Sequence, residues 1–404
     1  MRLLAALVPA FLLVSATPNA FQSTTAPARP AGAQPEAQRE TPLTPQQIKD
    51  AIDQLGRIDY GIRMAAARRI RRAPADAVVP ALIDAVQNHP DGYSRFRSLV
   101  LLSGFNDSRT HDVMARALSE KNDRLRAVAY GYFEHNVDPQ LVPRMLDALT
   151  TEQSEFVRPA LTRALAAYAS DTRVRDALTG LVMKGQDFYR SAVIEAIGDY
   201  KGAYALPALT AVAKLEGPLQ DDAVLALGKI GDKKSLEVLA ALQRPASRNV
   251  QPAIGAAICL LGVNCSSHLN FLEQSLRFGM ENHGYEELLR ASANGLAAIA
   301  INGNADVAAM LVQRGIPSRD PGRAAIALAL GAVALRNTPL VLSVLQKQQD
   351  PAPAIMLLGE AFDMLEEDLE EERFYVAVRR AYWTAPQDTP ARKIAAALIQ
   401  TLDF

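Results

Sequence analysis

From Thr44 onward, apolar residues recur at every third and fourth position, the period of an α-helix that buries one face. In SLEVLAAL (235–242), Leu236, Leu239 and Ala240 share a face. In the segment before it, Ala223, Val224, Leu227 and Ile230 share another. Gly231 between them suits a left-handed helix end, and Asp232 can cap the second helix. Residues 226–242, ALGKIGDKKSLEVLAAL, therefore predict a helix, a tight turn and a second helix. The ordered part is expected to begin at Thr44 as an N-cap with Pro45 at the first helical position.

The same unit returns along the chain. DYGIRMAAARRI (59–70), YSRFRSLVLLSGF (93–105), DRLRAVAYGYF (123–133), SEFVRPALTRALAAY (154–168), DFYRSAVIEAIGDY (187–200), PLQDDAVLALGKIGD (218–232) and NVQPAIGAAICLLG (249–262) each set a polar residue before an Ala-rich helix. The anchors are Arg63, Arg97, Arg126, Arg158, Arg190, Asp221 and Gln251, separated by 34, 29, 32, 32, 31 and 30 residues. Between them lies a second set of helical segments at 78–86, 111–118, 139–149, 173–182, 204–213 and 235–242. One such pair cannot bury its apolar surface alone, whereas stacked pairs can, which predicts a solenoid. The expected fold is all-α: a right-handed superhelix of about eleven antiparallel helix pairs, with successive second helices lining one face.

The pattern polar-x-x-Arg-x-x-Ala…Ala-Leu-Gly-x-Ile-Gly-Asp-x-x-x-Leu…Leu resembles HEAT repeats, in the short form first noted in phycobilisome lyases, and ALGKIGDKKSLEVLAAL matches it almost position by position. The resemblance covers residues 46–262, with a repeat shorter than the ~40–47 residues of the wider family. It speaks for a fold, because such arrays serve many roles. Beyond Asn264 the register loosens. Residues 291–317 are locally similar to an ankyrin repeat but lack its Thr-Pro-Leu-His tetrapeptide, so divergent HEAT pairs are the preferred reading of 263–404, ending in a C-terminal cap.

Composition sharpens the address. MRLLAALVPAFLLVSATPNA places Arg2 before an apolar stretch, Leu3 to Val14, and then small residues, the form of a secretory signal peptide over 1–20. That stretch falls well short of the ~20 residues that span a bilayer, and no later segment reads as membrane-spanning. Pro18, Pro27, Pro30, Pro35 and Pro42 punctuate a polar stretch without helical period, which makes 21–43 a disordered tether. The chain is expected to be exported, to a periplasm or beyond the cell. With 43 basic and 44 acidic residues the overall balance speaks against nucleic acid as a partner.

Little in the sequence points to chemistry. Gly228-Lys229 is followed by Ile230, so it lacks the Ser/Thr and the spacing of a phosphate loop. His89, His111, His135, His268 and His283 show no metal-ligand spacing, and neither a metal nor a cofactor is expected. No nucleophile elbow, CxxC or dinucleotide fingerprint occurs. Cys259 and Cys265, in CLLGVNC, form a candidate disulfide if Gly262 ends the helix and turns the chain back. The ladder of Arg63, Arg97, Arg126, Arg158 and Arg190 is readable as structural, with acids three or four residues before several of them (Asp59, Asp123, Glu155, Asp187), or as a positive stripe for an anionic partner. Arg68, Arg69, Arg71 and Arg72 form a basic patch, and Glu366, Glu367, Asp368, Glu370, Glu371 and Glu372 an acidic run; both are expected to be solvated, at opposite poles of a rod.

The expected function is an exported scaffold that binds another protein along its concave surface, without catalysis. The alternatives are a lyase-like or enzyme-assisting protein that binds a small ligand, implied by the family resemblance, and a structural part of a cell-envelope assembly.

Overall fold

The computed structural model describes residues 42–365 and 367–404, so the leader and most of the tether, as well as Glu366, lie outside the described residues. Its regular elements are α-helices and short 3-10 turns. Ten helices form an inner row: α2 (Tyr60–Arg72), α4 (Gly92–Ser103), α6 (Asp123–His135), α8 (Val157–Ala167), α10 (Asp187–Asp199), α12 (Gln220–Ile230), α14 (Gln251–Leu260), α16 (Glu286–Ile301), α18 (Gly322–Arg336) and α20 (Ala352–Leu365). Each packs on the next of that row. Ten others alternate with them on the outside: α1 (Pro45–Leu55), α3 (Ala75–Asn88), α5 (Thr110–Ala117), α7 (Val142–Thr151), α9 (Thr172–Val182), α11 (Leu206–Ala213), α13 (Ser235–Leu242), α15 (Cys265–Glu281), α17 (Ala305–Gly315) and α19 (Thr338–Gln346). This is an α-solenoid of stacked helix pairs. α16 and α17, the ankyrin-like stretch, sit in the same two rows as their neighbours.

The opening helix has its expected cap: the Thr44 side chain accepts from Gln47 N, Gln47 reaches back to Thr44 N, and Pro45 fills the first turn. Gly231 ends α12 with φ 83°, a conformation that costs glycine little. Gly228, one turn earlier, faces α14 so closely that a Cβ there would stand 2.4 Å from Ala257 Cα. The two glycines of ALGKIGD therefore have different roles, one at a turn and one at a helix contact.

The buried core runs from Ile48 to Leu261 in one cluster and from Ala256 to Phe404 in another. α14 feeds both, Ile254 and Ala257 to the first and Ala256 and Cys259 to the second. At this junction Cys259 is joined to Cys265, the first residue of α15, across a turn in which Gly262 has φ 78°. The disulfide fastens the seam between the two halves of the core.

The last two helices, α21 (Asp368–Thr384) and α22 (Pro390–Thr401), leave this alternation. α21 packs against α4 and α6 as well as α18, so helices from both ends of the chain meet on it. The inner row curves round, and α21 closes it. An open rod with charged poles, the expectation from the charge clusters, does not form. Arg71 is buried against Glu372, with Nε 2.8 Å from its carboxylate, and stacks on Tyr375 at 4.9 Å. Arg68 pairs with Asp403, Arg72 donates to the Phe404 carbonyl, and Arg379 donates to the Arg71 carbonyl. One pair, Arg71 with Glu372, joins the basic patch to the acidic run, 301 residues apart in sequence.

Candidate functional site

Three features could carry function: the arginine ladder, the charged interior and the rim at the helix starts. The ladder resolves into a repeated clamp. Near the start of an inner helix, one side chain reaches back and donates to carbonyls just after or at the end of the preceding outer helix. Arg63 donates to the carbonyls of Arg57 and Ile58, Arg95 to Val86, Arg126 to Glu120 and Lys121, Arg158 to Glu152, and Arg190 to Val182. Gln220 and Gln251 repeat the contact on Ala213 and Gln243, and Arg323 and Arg392 carry it to Gly315 and Ala385. Helix ends leave carbonyls without intrahelical partners, and a long donor from the next helix satisfies them. The clamp in the second repeat is Arg95, not Arg97, and in the sixth it is Gln220, not Asp221. Arg97 makes only a 3.4 Å contact to the Leu55 carbonyl.

The local acid–arginine pairing holds at one step only, Asp187 with Arg190 at 3.0 Å. Asp59 instead caps α2, Asp123 accepts from Ser154 Oγ, and Arg126 takes Glu152 from the next loop in a two-pronged pair at 2.8 and 2.9 Å. Capping claims Asp59, and a hydroxyl from the next repeat claims Asp123.

The interior of the curve is charged and self-neutralised. Four successive inner helices contribute alternating signs: Glu134 on α6, Arg163 on α8, Asp199 on α10 and Lys229 on α12. Arg163 donates to Glu134 Oε1 at 2.9 Å and to Asp199 Oδ2 at 3.1 Å, while Lys229 Nζ donates to Asp199 Oδ1 at 2.8 Å. Tyr200 completes the first carboxylate with a 2.8 Å hydrogen bond. Burial pushes the Glu134 carboxyl up, but Arg163 and His135 outweigh it and hold it below the usual range. Lys229, the lysine of the Gly-Lys string, is therefore an internal counterion. From the closing helix, Glu370 accepts from His135 Nε2 at 2.8 Å and lies against Arg336 and Arg373, while Glu367, the residue just before that helix, accepts from Arg336 at 2.7 Å.

Glu134, His135 and Glu370 place ligand atoms within 4.8 Å of one another, a cluster that the histidine spacings did not disclose because Glu370 arrives from the far end of the chain. The two carboxylates are already engaged by Arg163, Tyr200, Arg336 and Arg373. A divalent cation would face guanidinium groups at close range in a poorly screened interior, so the arrangement works as an ion-pair network. The remaining histidines are dispersed: His89 meets Asp53, His111 meets Asp138, and burial lowers His268.

The rim was the feature least visible in the sequence. Two residues before the clamps at Arg95, Arg126, Arg158 and Arg190 stand Tyr93, Arg124, Phe156 and Phe188, and Tyr60 occupies the start of α2. The rings are exposed: Tyr60 59%, Tyr93 48%, Phe156 63% and Phe188 45%. Arg124 lies among them, its guanidinium carbon 5.1 Å from the Tyr93 ring, 5.7 Å from Phe96 and 5.5 Å from Phe156. Arg97 stacks over Tyr93 and Phe96 at 5.8 and 6.0 Å. Exposed aromatic and arginine side chains in one row are the composition of interface hot spots.

No protein-family model matches this chain, and no curated protein does. Among solved structures, the CpcE–CpcF complex of phycocyanin lyase from Nostoc sp. PCC7120 is 18% identical over 67% of this chain and 97% of that one, with a TM-score of 0.33. Kap95p, solved bound to RanGDP, is 15% identical over 89% of this chain and 55% of its own, with a TM-score of 0.43. Importin beta is 12% identical over 89% of this chain and 58% of its own, with a TM-score of 0.36.

Proposed function

We propose that this chain is an exported, non-catalytic scaffold that holds another protein along the rim of its curve. The row of exposed rings at Tyr60, Tyr93, Phe156 and Phe188 carries this reading. Single exposed apolar residues are ordinary on a surface, whereas rings recurring two residues before the clamps, at Tyr93, Phe156 and Phe188, make an extended contact surface. The clamps below the row hold its spacing, since each ties a rim residue's helix to the loop before it. The concave interior, the surface first expected to bind, is occupied by the chain's own ion pairs and by α21. Export rests on the leader-like first 20 residues, and the Cys259–Cys265 bond is the chemistry of an oxidising compartment.

The test is site-specific photocrosslinking of the full-length protein in its source cells. A photoreactive residue replacing Phe188 is expected to capture one protein at near-stoichiometric yield. The same residue replacing Glu237 on outer helix α13 is expected to capture none. Equal capture at both positions, or capture at Glu237 alone, would remove the rim from consideration.

A further inference from the structure

We infer that the stretch of rim formed by Tyr93, Arg97, Arg124 and Phe156 docks an extended acidic segment of a partner protein. The inference rests on the protein-binding reading and names the partner's chemistry. It starts from an imbalance of charge. In the interior Arg163 has two carboxylates, Lys229 has Asp199, and Arg336 has Glu367. On this part of the rim, among the described residues, neither Arg97 nor Arg124 has a carboxylate within ion-pair distance. The neighbouring acids are otherwise engaged, Asp91 in capping Ser94 N and Asp123 in accepting from Ser154. The acid that favours the Arg97 charge is Asp368, at the start of α21.

The two guanidinium groups are half-buried and packed on the same Tyr93 and Phe96 rings, where each raises the cost of the other's charge. Burial, then the nearby Arg63 and Arg124, pulls the Arg97 guanidinium below its ordinary pKa despite Asp368. Stacking compensates part of this cost and fixes the orientation of the planar groups. A planar, pre-oriented guanidinium is suited to a carboxylate, which it binds with two parallel hydrogen bonds.

Spacing sets the shape of the ligand. Arg97 and Arg124 belong to neighbouring inner helices, whose axes pack about 8–10 Å apart. An extended chain advances about 3.3 Å per residue, so carboxylates about three residues apart match the two arginines. The side chains between them would then lie over Tyr93 and Phe156, which are open to solvent.

The probe is a fluorescein-labelled twelve-residue peptide with Glu at every third position and Leu or Ser elsewhere. Its anisotropy is titrated with the full-length protein. The expected result is binding at least tenfold tighter than that of the Gln-for-Glu peptide, weakened at least tenfold by Arg124→Gln and by Phe156→Ala. Arg116→Gln, on outer helix α5, is expected to change nothing, and thermal melts confirm that the variants fold. Equal binding of the Glu and Gln peptides, or binding indifferent to Arg124→Gln, overturns the inference. So does inorganic polyphosphate that binds through Arg124 more tightly than the peptide, since the anion would then not be a protein segment. If the peptide fails while Phe188 still crosslinks a protein, the acidic partner is wrong and the rim reading survives; if Phe188 captures nothing, the rim reading itself falls.

Discussion

Asp222 shows how a single residue reports its surroundings. It stands half-buried on α12, accepts from Ser191 Oγ at 2.6 Å, and is pushed up to about 7 by burial and then by Asp221. A carboxyl that holds its proton more tightly in the folded than in the unfolded state stabilises the fold only while protonated. Its contribution is present at acid pH and declines as pH rises from about 4 through about 7. Asp222→Asn keeps a polar partner for Ser191 and removes the charge. Its melting temperature is expected to exceed that of the wild type at pH 8 and to match it near pH 4, by scanning calorimetry; an identical offset at both pH values would refute the assignment. None of this was legible in the sequence, where Asp221 and Asp222 read as the polar start of a helix. The slip from Arg95 to Arg97 has a similar cause. Both flank Phe96 at the start of the same helix, and only their contacts in the fold distinguish them, Arg95 donating to Val86 and Arg97 stacking over Tyr93.

Helix pairs were the most legible level, since period, caps and turn residues are local properties. ALGKIGD carried even its two glycines in sight, but what Gly228 touches depends on the next repeat. An alanine in an exposed helix interior is worth about 1 kcal/mol over glycine. At Gly228 that gain meets the 2.4 Å approach of Ala257, and overpacking costs about 1–3 kcal/mol. Packing is expected to win, so Gly228→Ala should lower the urea midpoint. Gly180 in α9 has nothing within 4 Å of its would-be Cβ, and Gly180→Ala should raise it. The same sign for both would mean that α12 and α14 do not pack as closely as described. At this scale the clamp also recurs among the later pairs, whose sequence register is loose: Arg323 on α18 makes the contact that Arg158 and Arg190 make.

The whole molecule was the least legible level. Two charge clusters of opposite sign at opposite ends of a repeat sequence suggest poles, and nothing local says that the ends meet. The closing contact makes a sharp prediction. Removing one partner of a buried ion pair leaves the other charge uncompensated and costs about 3–5 kcal/mol. Glu372→Ala should therefore lose stability of that order while retaining its helical circular dichroism. Trp383, the only tryptophan of the chain, lies on α21, and its emission should shift to the red as α21 comes away. Unchanged emission together with unchanged stability would show that α21 is held by other means.

That closure also changes what a break in the chain can do. When a protease nicks the middle of an open repeat rod, the halves are held together only by the helix packing at the break. In a stack whose last helices grip its first, the same nick leaves the two fragments joined at the opposite side, through α21 on α4 and α6. Cleavage becomes damage that the fold can carry, and a nicked molecule migrates whole until a denaturant undoes the second seam.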